Sequence, residues 1–303
     1  MSPPRRLTTA DFDPDVLRLF DRYVHGSIDR RGFLQGAGRL LGTAGAVAAL
    51  AALAPRFAAA QQVAPDDARL STRQVEFDSP QGYGRARAYL AAPAGANAAL
   101  PAVLVAHENR GLNPHIEDVA RRLALAGYLA FAPDALFPLG GYPGDEDKAR
   151  ESFSTLDQAK VQHDFLAAFD WLAASEQVSG RIGAVGFCWG GGMVNFLATQ
   201  RPALAAAAPF YGMAPDVAAV PAIRAELLVV LAAKDDRINA AWPAYRAALE
   251  AAGVRHAVLQ PEGTVHGFNN DTTPRYAEAA AAEAWGRMLA LFERTLRRGS
   301  VAG

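Results

Sequence analysis

One short run of the sequence carries a side chain that can act as a nucleophile. Cys188 is the single cysteine among 303 residues, and it stands in Gly186-Phe187-Cys188-Trp189-Gly190, between an apolar run and a helical pattern. Glycines near the cysteine lack a Cβ, so a strand and a helix can approach closely around a strained residue. A helix that begins there points its free N–H groups at the sulfur and favours the thiolate. The run predicts a nucleophilic thiol, with a buried structural cysteine as the alternative.

A thiol nucleophile needs a base, and the base needs a carboxylate that orients it. Among the six histidines, His266 fits best, because it follows the last apolar strand pattern and precedes the last helix. The carboxylate is expected after the preceding strand, where Asp235 and Asp236 are neighbours. We assign the role to Asp235 and leave Asp236 as a solvated carboxylate or a partner of Arg237. The chain order of nucleophile, acid and histidine is that of a hydrolytic triad.

The negative oxygen of an acyl-transfer intermediate needs backbone N–H donors. We expect one donor from Trp189, directly after the nucleophile, and the other from Asn109, in the loop that follows an apolar strand pattern. Glu108 of the same loop is expected beside Cys188, where a carboxylate can hydrogen-bond the thiol or modulate its proton. An ordinary exposed loop charge is the alternative for Glu108.

Apolar runs and helical patterns alternate along most of the chain. Strands are expected at 73–77, 84–90, 101–106, 128–132, 181–186, 205–210, 227–232 and 256–259. Helices are expected at 114–126, 158–174, 188–200, 240–252 and 276–298. The first two strands form an antiparallel hairpin, and the later alternation predicts an α/β fold with a mainly parallel sheet covered on both faces. Functional residues of such sheets gather at the carboxyl ends of the strands.

The amino-acid composition limits which class of protein this chain can belong to. Hydrophobic residues make up 51% of the chain and charged residues 20%, as in an ordinary globular protein. The net charge of −1 argues against nucleic acid as a partner, since such binders usually carry a basic excess. After a polar linker at 61–71, residues 72–303 show no second linker and no repeat, which predicts one domain.

The first 60 residues differ from the rest of the chain in their charge. They hold eight arginines and five aspartates, a surplus of three positive charges. The pair Arg30-Arg31 precedes an uncharged stretch at 40–55, and Ala58-Ala59-Ala60 supplies a small-residue cleavage pattern. This arrangement resembles a twin-arginine export signal. It implies the twin-arginine export machinery as a partner of the precursor and a periplasmic or secreted mature enzyme.

The alternative for this segment is a membrane anchor. Its 16 uncharged residues fall short of the roughly 20 that span a bilayer, so the mature protein is expected to have no stable membrane span. Residues 1–28 are expected to be a disordered lead, or the true start of translation lies further in. His25 falls within this export segment and is assigned no chemical role.

Several motifs together resemble the dienelactone hydrolase (carboxymethylenebutenolidase) family of the α/β-hydrolase superfamily. They are His107-Glu108-Asn109-Arg110-Gly111-Leu112-Asn113, Pro133-Asp134, Gly186-Phe187-Cys188-Trp189-Gly190-Gly191 and His266-Gly267-Phe268. The resemblance runs from about Val75 to Phe292. It implies the α/β-hydrolase fold, a Cys188–Asp235–His266 triad, control of the thiol by Glu108, and no cofactor or metal. The implied reaction is hydrolysis of the enol lactone 4-carboxymethylenebut-2-en-4-olide to maleylacetate.

Two departures from the family leave the substrate open. Family enzymes of that pathway are cytoplasmic, and they hold the substrate carboxylate with arginines, one of them a few residues after the histidine. This chain has Asn269-Asn270-Asp271 there, with Arg275 offset from the expected position. Tyr142, in the loop after the strand at 128–132, is expected to line the pocket. A thiol esterase of other substrates and a binding or redox-sensing protein are the rival functions.

Overall fold

An eight-stranded sheet forms the centre of the molecule. The computed structural model describes residues 5–297. The strands are β1 (Leu70–Ser79), β2 (Gly84–Pro93), β3 (Leu100–Ala106), β4 (Leu129–Pro133), β5 (Val178–Phe187), β6 (Leu204–Phe210), β7 (Glu226–Val230) and β8 (His256–Leu259). Their spatial order is β1-β2-β4-β3-β5-β6-β7-β8. The β1–β2 and β2–β4 pairs are antiparallel and the others are parallel, which confirms the predicted fold class.

Helices cover both faces of the sheet. The α-helices are α1 (Pro14–Val24), α2 (Arg30–Leu53), α3 (Phe57–Ala60), α4 (Pro114–Leu125), α5 (Glu146–Ser154), α6 (Gln158–Ala174), α7 (Trp189–Gln200), α8 (Asp236–Asn239), α9 (Trp242–Ala251) and α10 (Glu278–Leu296). Each predicted strand and helix of the sheet region is present within a few residues of its expected bounds. The expected end of the last helix, Arg298, lies outside the described residues.

Strand β3 shows how the sequence builds two separate cores. Ala102, Leu104 and Ala106 face the cluster that α6, α7 and α9 cover. Val103 and Val105, which alternate with them, face the cluster that α4 and α10 cover. A strand buried on both faces needs an unbroken apolar run, and the PAVLVA run of β3 provides it.

The N-terminal segment, residues 5–60, has a hydrophobic cluster of its own. Helices α1 and α2 pack together through buried apolar side chains, which we call the N-terminal cluster: Val16, Phe20, Tyr23, Val24, Phe33, Ala37, Ala46, Ala49, Leu50 and Leu53. The expected disorder of residues 1–28 is therefore wrong for the described part, because amphipathic α1, capped by the Asp13 side chain, buries one face against α2. Within residues 5–297, α2 is the one helix long and apolar enough to cross a membrane by length and composition.

Several contacts hold the N-terminal segment to the sheet region. Arg56 N–H of this segment donates to the Thr272 carbonyl at 2.8 Å, and Val63 N–H, in the linker that follows, donates to the Asp118 carboxylate at 2.8 Å. Val63 is buried, and β1 already begins at Leu70, within the predicted linker at 61–71. The residues of this linker thus lie against α4.

Candidate active site

The turn between β5 and α7 holds Cys188 at the carboxyl edge of the sheet. Cys188 has φ 56° and ψ −116°, a left-handed conformation that few non-glycine residues adopt, and its N–H donates to the Phe210 carbonyl at 3.0 Å. A Cβ on Gly190 would lie 2.2 Å from the Ala106 carbonyl oxygen, and one on Gly191 would lie 2.5 Å from the Phe210 carbonyl oxygen. Only glycine fits these two positions, so the glycine-rich run is what lets the strained cysteine form.

His266 and Asp235 come from the loops that follow β8 and β7. The Lys234 N–H donates to the Thr264 carbonyl at 2.9 Å, which joins the two loops side by side. His266 Nδ1 donates to Asp235 Oδ2 at 2.5 Å, and both residues are buried. Asp236 instead is exposed and begins α8. The structure therefore brings Asp235, and not its neighbour, to the histidine.

The Cys188 thiol and the His266 imidazole act on each other's protonation. Burial raises the pKa of the thiol, but the positive charge of His266 and a hydrogen bond with His25 outweigh it and lower that pKa below its usual range. Burial lowers the pKa of His266, but the thiolate and Asp235 outweigh it and raise that pKa. The two directions agree on a thiolate–imidazolium pair, the form in which a cysteine is most nucleophilic.

A third histidine, which sequence reasoning assigned no role, lies in the same site. His25 Nε2 is 3.6 Å from Cys188 Sγ and 3.2 Å from His266 Nε2. It follows the last residue of α1, and its side chain is 13% exposed. No local pattern marks His25, because its position depends on how the N-terminal segment packs across the sheet edge.

The loop after β3 contributes Glu108 and Asn109. His107 orders this loop: it is buried, its Nδ1 donates to the Glu108 carbonyl at 2.6 Å, and its ring stacks on Trp189 at 5.3 Å. Burial lowers the pKa of His107, so the ring is neutral and structural. The Glu108 Oε2 atom accepts a hydrogen bond from Asn270 Nδ2 at 2.9 Å.

Asn109 and Trp189, the two expected oxyanion donors, make hydrogen bonds with different parts of the molecule. The Asn109 side chain donates from Nδ2 to the Val24 carbonyl at 2.9 Å, which ties the loop to α1. Trp189 is the first residue of α7, so its backbone N–H has no partner within the helix. Its indole Nε1 donates to Gln158 Oε1 at 3.1 Å.

A cavity of about 450 Å³ opens above Cys188, between the sheet edge and the N-terminal segment. Glu108, Tyr142, His266 and Arg275 line it. Tyr142 Oη donates to Glu146 Oε1 at 2.9 Å, which fixes the phenol. Among residues 5–297, Arg275 Nε and Nη1 are buried without a hydrogen-bond partner.

Tyr211 is a second residue that the sequence did not single out. It follows β6 with φ 37°, and its buried ring centroid lies 4.9 Å from that of His266. The rule that functional groups gather at strand ends could have found it, since Tyr211 directly follows the last residue of a parallel strand.

The donor atoms of His25, Cys188 and His266 all lie within 4.8 Å of one another. Thiolate and imidazole are suitable ligands for a transition metal. Over the part of the chain that the structure describes, these three residues bring potential metal ligands close enough to share an ion.

Comparisons with known proteins identify the family to which the chain belongs. The model of the dienelactone hydrolase family matches residues 86–296, and a YqhI-like family model matches residues 3–42. The "Putative carboxymethylenebutenolidase" of Salmonella typhi is 34% identical over 222 residues, which cover 68% of this chain and 81% of that protein. The "Putative hydrolase fragment YghX" of Escherichia coli is 51% identical over 105 residues, which cover 35% of this chain and 90% of that protein.

A solved structure of a similar protein has the same fold. The dienelactone hydrolase described as putative from Klebsiella pneumoniae superposes with a TM-score of 0.65 at 32% identity, covering 74% of this chain and 99% of that one. The parallel sheet and the cysteine turn define an α/β-hydrolase. Within that class, the chain belongs to the dienelactone hydrolase family and is a hydrolase of the carboxymethylenebutenolidase type.

Proposed function

We propose that this enzyme hydrolyses a lactone or ester through a thioester on Cys188. The observation that carries the proposal is the buried chain of groups from Asp235 through His266 to the sulfur, with Asp235 Oδ2 2.5 Å from His266 Nδ1. A thiolate at a helix N-terminus beside an oriented imidazolium is an activated nucleophile. Membership of the dienelactone hydrolase family supports the same chemistry.

The proposed reaction has two halves. The Cys188 sulfur attacks the carbonyl carbon, the bond from that carbon to the ring oxygen breaks, and His266 gives a proton to the departing oxygen. His266 then takes a proton from water, which attacks the thioester carbon and releases the acid and the thiolate. Asp235 holds the imidazole in the orientation that both steps require.

Backbone amides stabilise the negative oxygen in both halves. Trp189 supplies one N–H, which no intrahelical carbonyl occupies. Asn109, in the loop that follows β3, is proposed to supply the other. Glu108, which lines the same cavity, is proposed to control the thiol proton.

The cavity favours a substrate that carries a carboxylate. Buried guanidinium nitrogens without a partner are costly unless an anion pairs with them. Arg275 is therefore proposed to bind the carboxylate of 4-carboxymethylenebut-2-en-4-olide or a related lactone, with Tyr142 as a wall of the pocket. The expected product of the named lactone is maleylacetate.

The first experiment is hydrolysis of this lactone and of neutral p-nitrophenyl esters by the full chain, with a chelator present because metal-ligating atoms converge on the site. Cys188→Ala and His266→Ala should each lower kcat/KM by about 10³-fold or more. His256→Ala, on an edge strand, is the matched control and should retain activity. A folded protein with a free thiol and no hydrolysis would instead favour a binding or redox role.

The substrate class has its own test. Arg275→Gln should raise KM for the carboxylate lactone by about 10-fold or more while leaving the neutral esters nearly unchanged, because only the first substrate loses an ion pair. Equal losses on both substrates would assign Arg275 to folding of the loop after His266.

We further propose that the precursor is exported through the twin-arginine pathway and cleaved after Ala60. Arg30 and Arg31 are both exposed at the start of α2, and Ala58 and Ala59 are exposed, so all four are accessible to a receptor or a protease. The long apolar helix α2 fits the hydrophobic region of such a signal. The mature enzyme would then act in the periplasm or outside the cell.

Cell fractionation tests the export proposal. A C-terminally tagged full chain should appear in the periplasm in a shortened form, and Arg30→Lys with Arg31→Lys should keep it in the cytoplasm at full length. Arg39→Lys, a later exposed arginine of α2, is the control and should export normally. Export of the double variant at the normal level would contradict a twin-arginine signal.

A further inference from the structure

We propose that His25, Cys188 and His266 form a binding site for a transition-metal ion, with zinc as the best-matched ion. The site exists only when the N-terminal segment is docked on the sheet edge. It uses the nucleophile as a ligand, so the bound ion inhibits hydrolysis and is not a cofactor. The site itself rests on the geometry of these three side chains, whereas its inhibitory effect rests on the proposed role of Cys188 as the nucleophile.

The distances between the donor atoms fit a tetrahedral ion. Zinc binds sulfur at about 2.3 Å and nitrogen at about 2.0–2.1 Å, which separates a sulfur from a nitrogen by about 3.5 Å and two nitrogens by about 3.3 Å. The observed separations are 3.6 Å from Cys188 Sγ to His25 Nε2 and 3.2 Å from His25 Nε2 to His266 Nε2. These two separations match a tetrahedral ion, and the ligand atoms of all three residues lie within 4.8 Å of one another.

Both imidazoles are already oriented as metal ligands. His266 Nδ1 donates to Asp235, and His25 Nδ1 lies 2.7 Å from the Asp21 carbonyl and 3.3 Å from an Asp21 carboxylate oxygen. A hydrogen-bonded Nδ1 leaves Nε2 free to bind an ion, and His25 Nε2 lies 3.6 Å from the Cys188 sulfur. A carboxylate behind each ligating histidine is the usual support of protein zinc sites.

The position of His25 is held by more than the packing of α1. The Val24 carbonyl at the end of this helix accepts hydrogen bonds from Asn109 Nδ2 at 2.9 Å and from Arg110 Nη1 at 3.2 Å. The preceding Tyr23 carbonyl accepts one from Arg150 Nη1. Three donors of the sheet region thus fix the end of the helix that presents His25.

One thiolate and two imidazoles select the kind of ion. Magnesium and calcium prefer oxygen ligands, whereas zinc binds this mixture of sulfur and nitrogen readily. The three residues line the cavity, which gives a water molecule access to the fourth position. Cleavage after Ala60, as proposed above, would remove His25 and with it one of the three ligands.

One side chain competes with the ion. Arg237 Nη2 lies 3.0 Å from His25 Nε2, so the guanidinium must turn away before a metal can bind that nitrogen. Arg237 is exposed and can do so. Removal of the Arg237 guanidinium should therefore tighten binding of the ion, whereas removal of a ligand should weaken it.

The test is zinc binding by the full-length, chelator-treated protein, measured by competition with a chromophoric zinc indicator. One ion per chain is expected, and His25→Ala and His25→Gln should weaken binding by roughly 100-fold or more. Asp21→Asn should weaken it by about 10- to 100-fold, and Arg237→Gln should tighten it. His163→Ala, outside the site on α6, is the matched control and should bind as the parent does.

Cobalt provides an independent readout of the ligands. Co²⁺ bound to the parent should show the near-ultraviolet charge-transfer band of a thiolate ligand, and the band should weaken at the same Co²⁺ concentration in His25→Gln. Absence of stoichiometric binding, or equal affinity in the parent and both His25 variants, would overturn the site. Ester hydrolysis by the metal-free protein is scored separately, so failure of the metal site and failure of the proposed hydrolysis are distinguishable.

Discussion

Two regions of the chain meet at Cys188, and they position their side chains by different means. The sheet region places Cys188 by backbone contact, since Gly190 and Gly191 approach neighbouring carbonyl oxygens too closely for any Cβ. The N-terminal segment places His25 by packing of a separate apolar cluster and by three hydrogen bonds to its helix end. The first arrangement is part of the sheet region, whereas the second depends on a separate hydrophobic cluster, so we expect that it can be lost without unfolding the sheet.

This difference bears on function. Groups that carry the proposed chemistry belong to the rigid sheet edge, where displacements of even 1 Å are costly to catalysis. His25, which completes the proposed metal site, belongs to the N-terminal segment, which has a hydrophobic cluster of its own. The proposed metal site and the proposed triad share the Cys188 sulfur, but we expect the docking of the N-terminal segment to be less stable than the sheet region.

The largest expected effect lies wholly within the sheet region. Asp235→Asn should lower kcat by roughly 10³- to 10⁴-fold, because an amide favours the wrong tautomer of His266. Its neighbour Asp236 is exposed and offers a matched control, and Asp236→Asn should stay within about twofold. Steady-state hydrolysis with the chelator present measures both, and similar rates for the two variants would contradict the proposed triad.

The same contrast explains what the sequence could predict. Cys188, Asp235 and His266 follow strands β5, β7 and β8, and alternating apolar runs locate these strands with errors of a few residues. A parallel sheet brings the carboxyl ends of its strands to one edge, so the three side chains had to be neighbours. Asp235 was assigned from its distance to the end of the strand, and only the loop geometry shows that it, and not Asp236, bonds to His266.

His25 and Tyr211 were not predicted because their roles depend on long-range packing. The charge and apolar pattern of residues 29–60 predicts an export signal, and it contains nothing about docking on the sheet edge. The disorder expected of residues 1–28 was wrong for residues 5–28, because the apolar face of α1 finds a partner in α2, a contact that neither helix reveals alone. The positive φ of Tyr211 likewise comes from its tertiary setting.

Two fully buried phenylalanines test whether the regions unfold separately. Phe165 lies in the sheet region and Phe33 in the N-terminal cluster, and each is 0% exposed. Replacement of either by alanine should cost about 3–5 kcal/mol locally. For Phe165→Ala the loss should lower the free energy of global unfolding, measured in denaturant. For Phe33→Ala it should instead expose the N-terminal segment to protease while the main transition stays unchanged.

If both variants lowered the free energy of one cooperative unfolding transition, the two regions would not unfold separately. This result would mean that the N-terminal segment contributes to the stability of the sheet region as a whole.

Asp271 tests how the linker that follows the N-terminal segment is held to the sheet region, since its carboxylate bonds to a residue of each. Gln62 Nε2 and Arg122 Nη2 donate to its Oδ2 at 2.7 and 2.6 Å. Burial opposes the charge, but His115 and Arg122 outweigh it and hold the pKa of Asp271 at about 2. A folded pKa below the unfolded value contributes stability above pH 4, about 2 kcal/mol here, which is lost as the pH falls toward 2.

Asp271→Asn should therefore remove about 2 kcal/mol at pH 7 and flatten the loss of stability between pH 4 and 2. Chemical denaturation across this pH range measures it. Asp170, whose exposed ion pair with Arg201 is worth less than about 1 kcal/mol, is the matched control. An unchanged acid transition in Asp271→Asn would show that other carboxylates govern the low-pH limit.

The smallest expected effect compares a glycine from each region. A Cβ on Gly38 of α2 meets nothing within 4 Å, so Gly38→Ala should stabilise the helix by about 0.5–1 kcal/mol through propensity alone. Hydrogen exchange of the α2 amides should then slow by about two- to fivefold. In α7 the same change at Gly191 should destabilise by about 1–3 kcal/mol, because the Cβ would lie 2.5 Å from the Phe210 carbonyl. If Gly38→Ala also lowered protection, α2 would have to make contacts as close as those of α7, and the N-terminal segment would be as tightly built as the sheet.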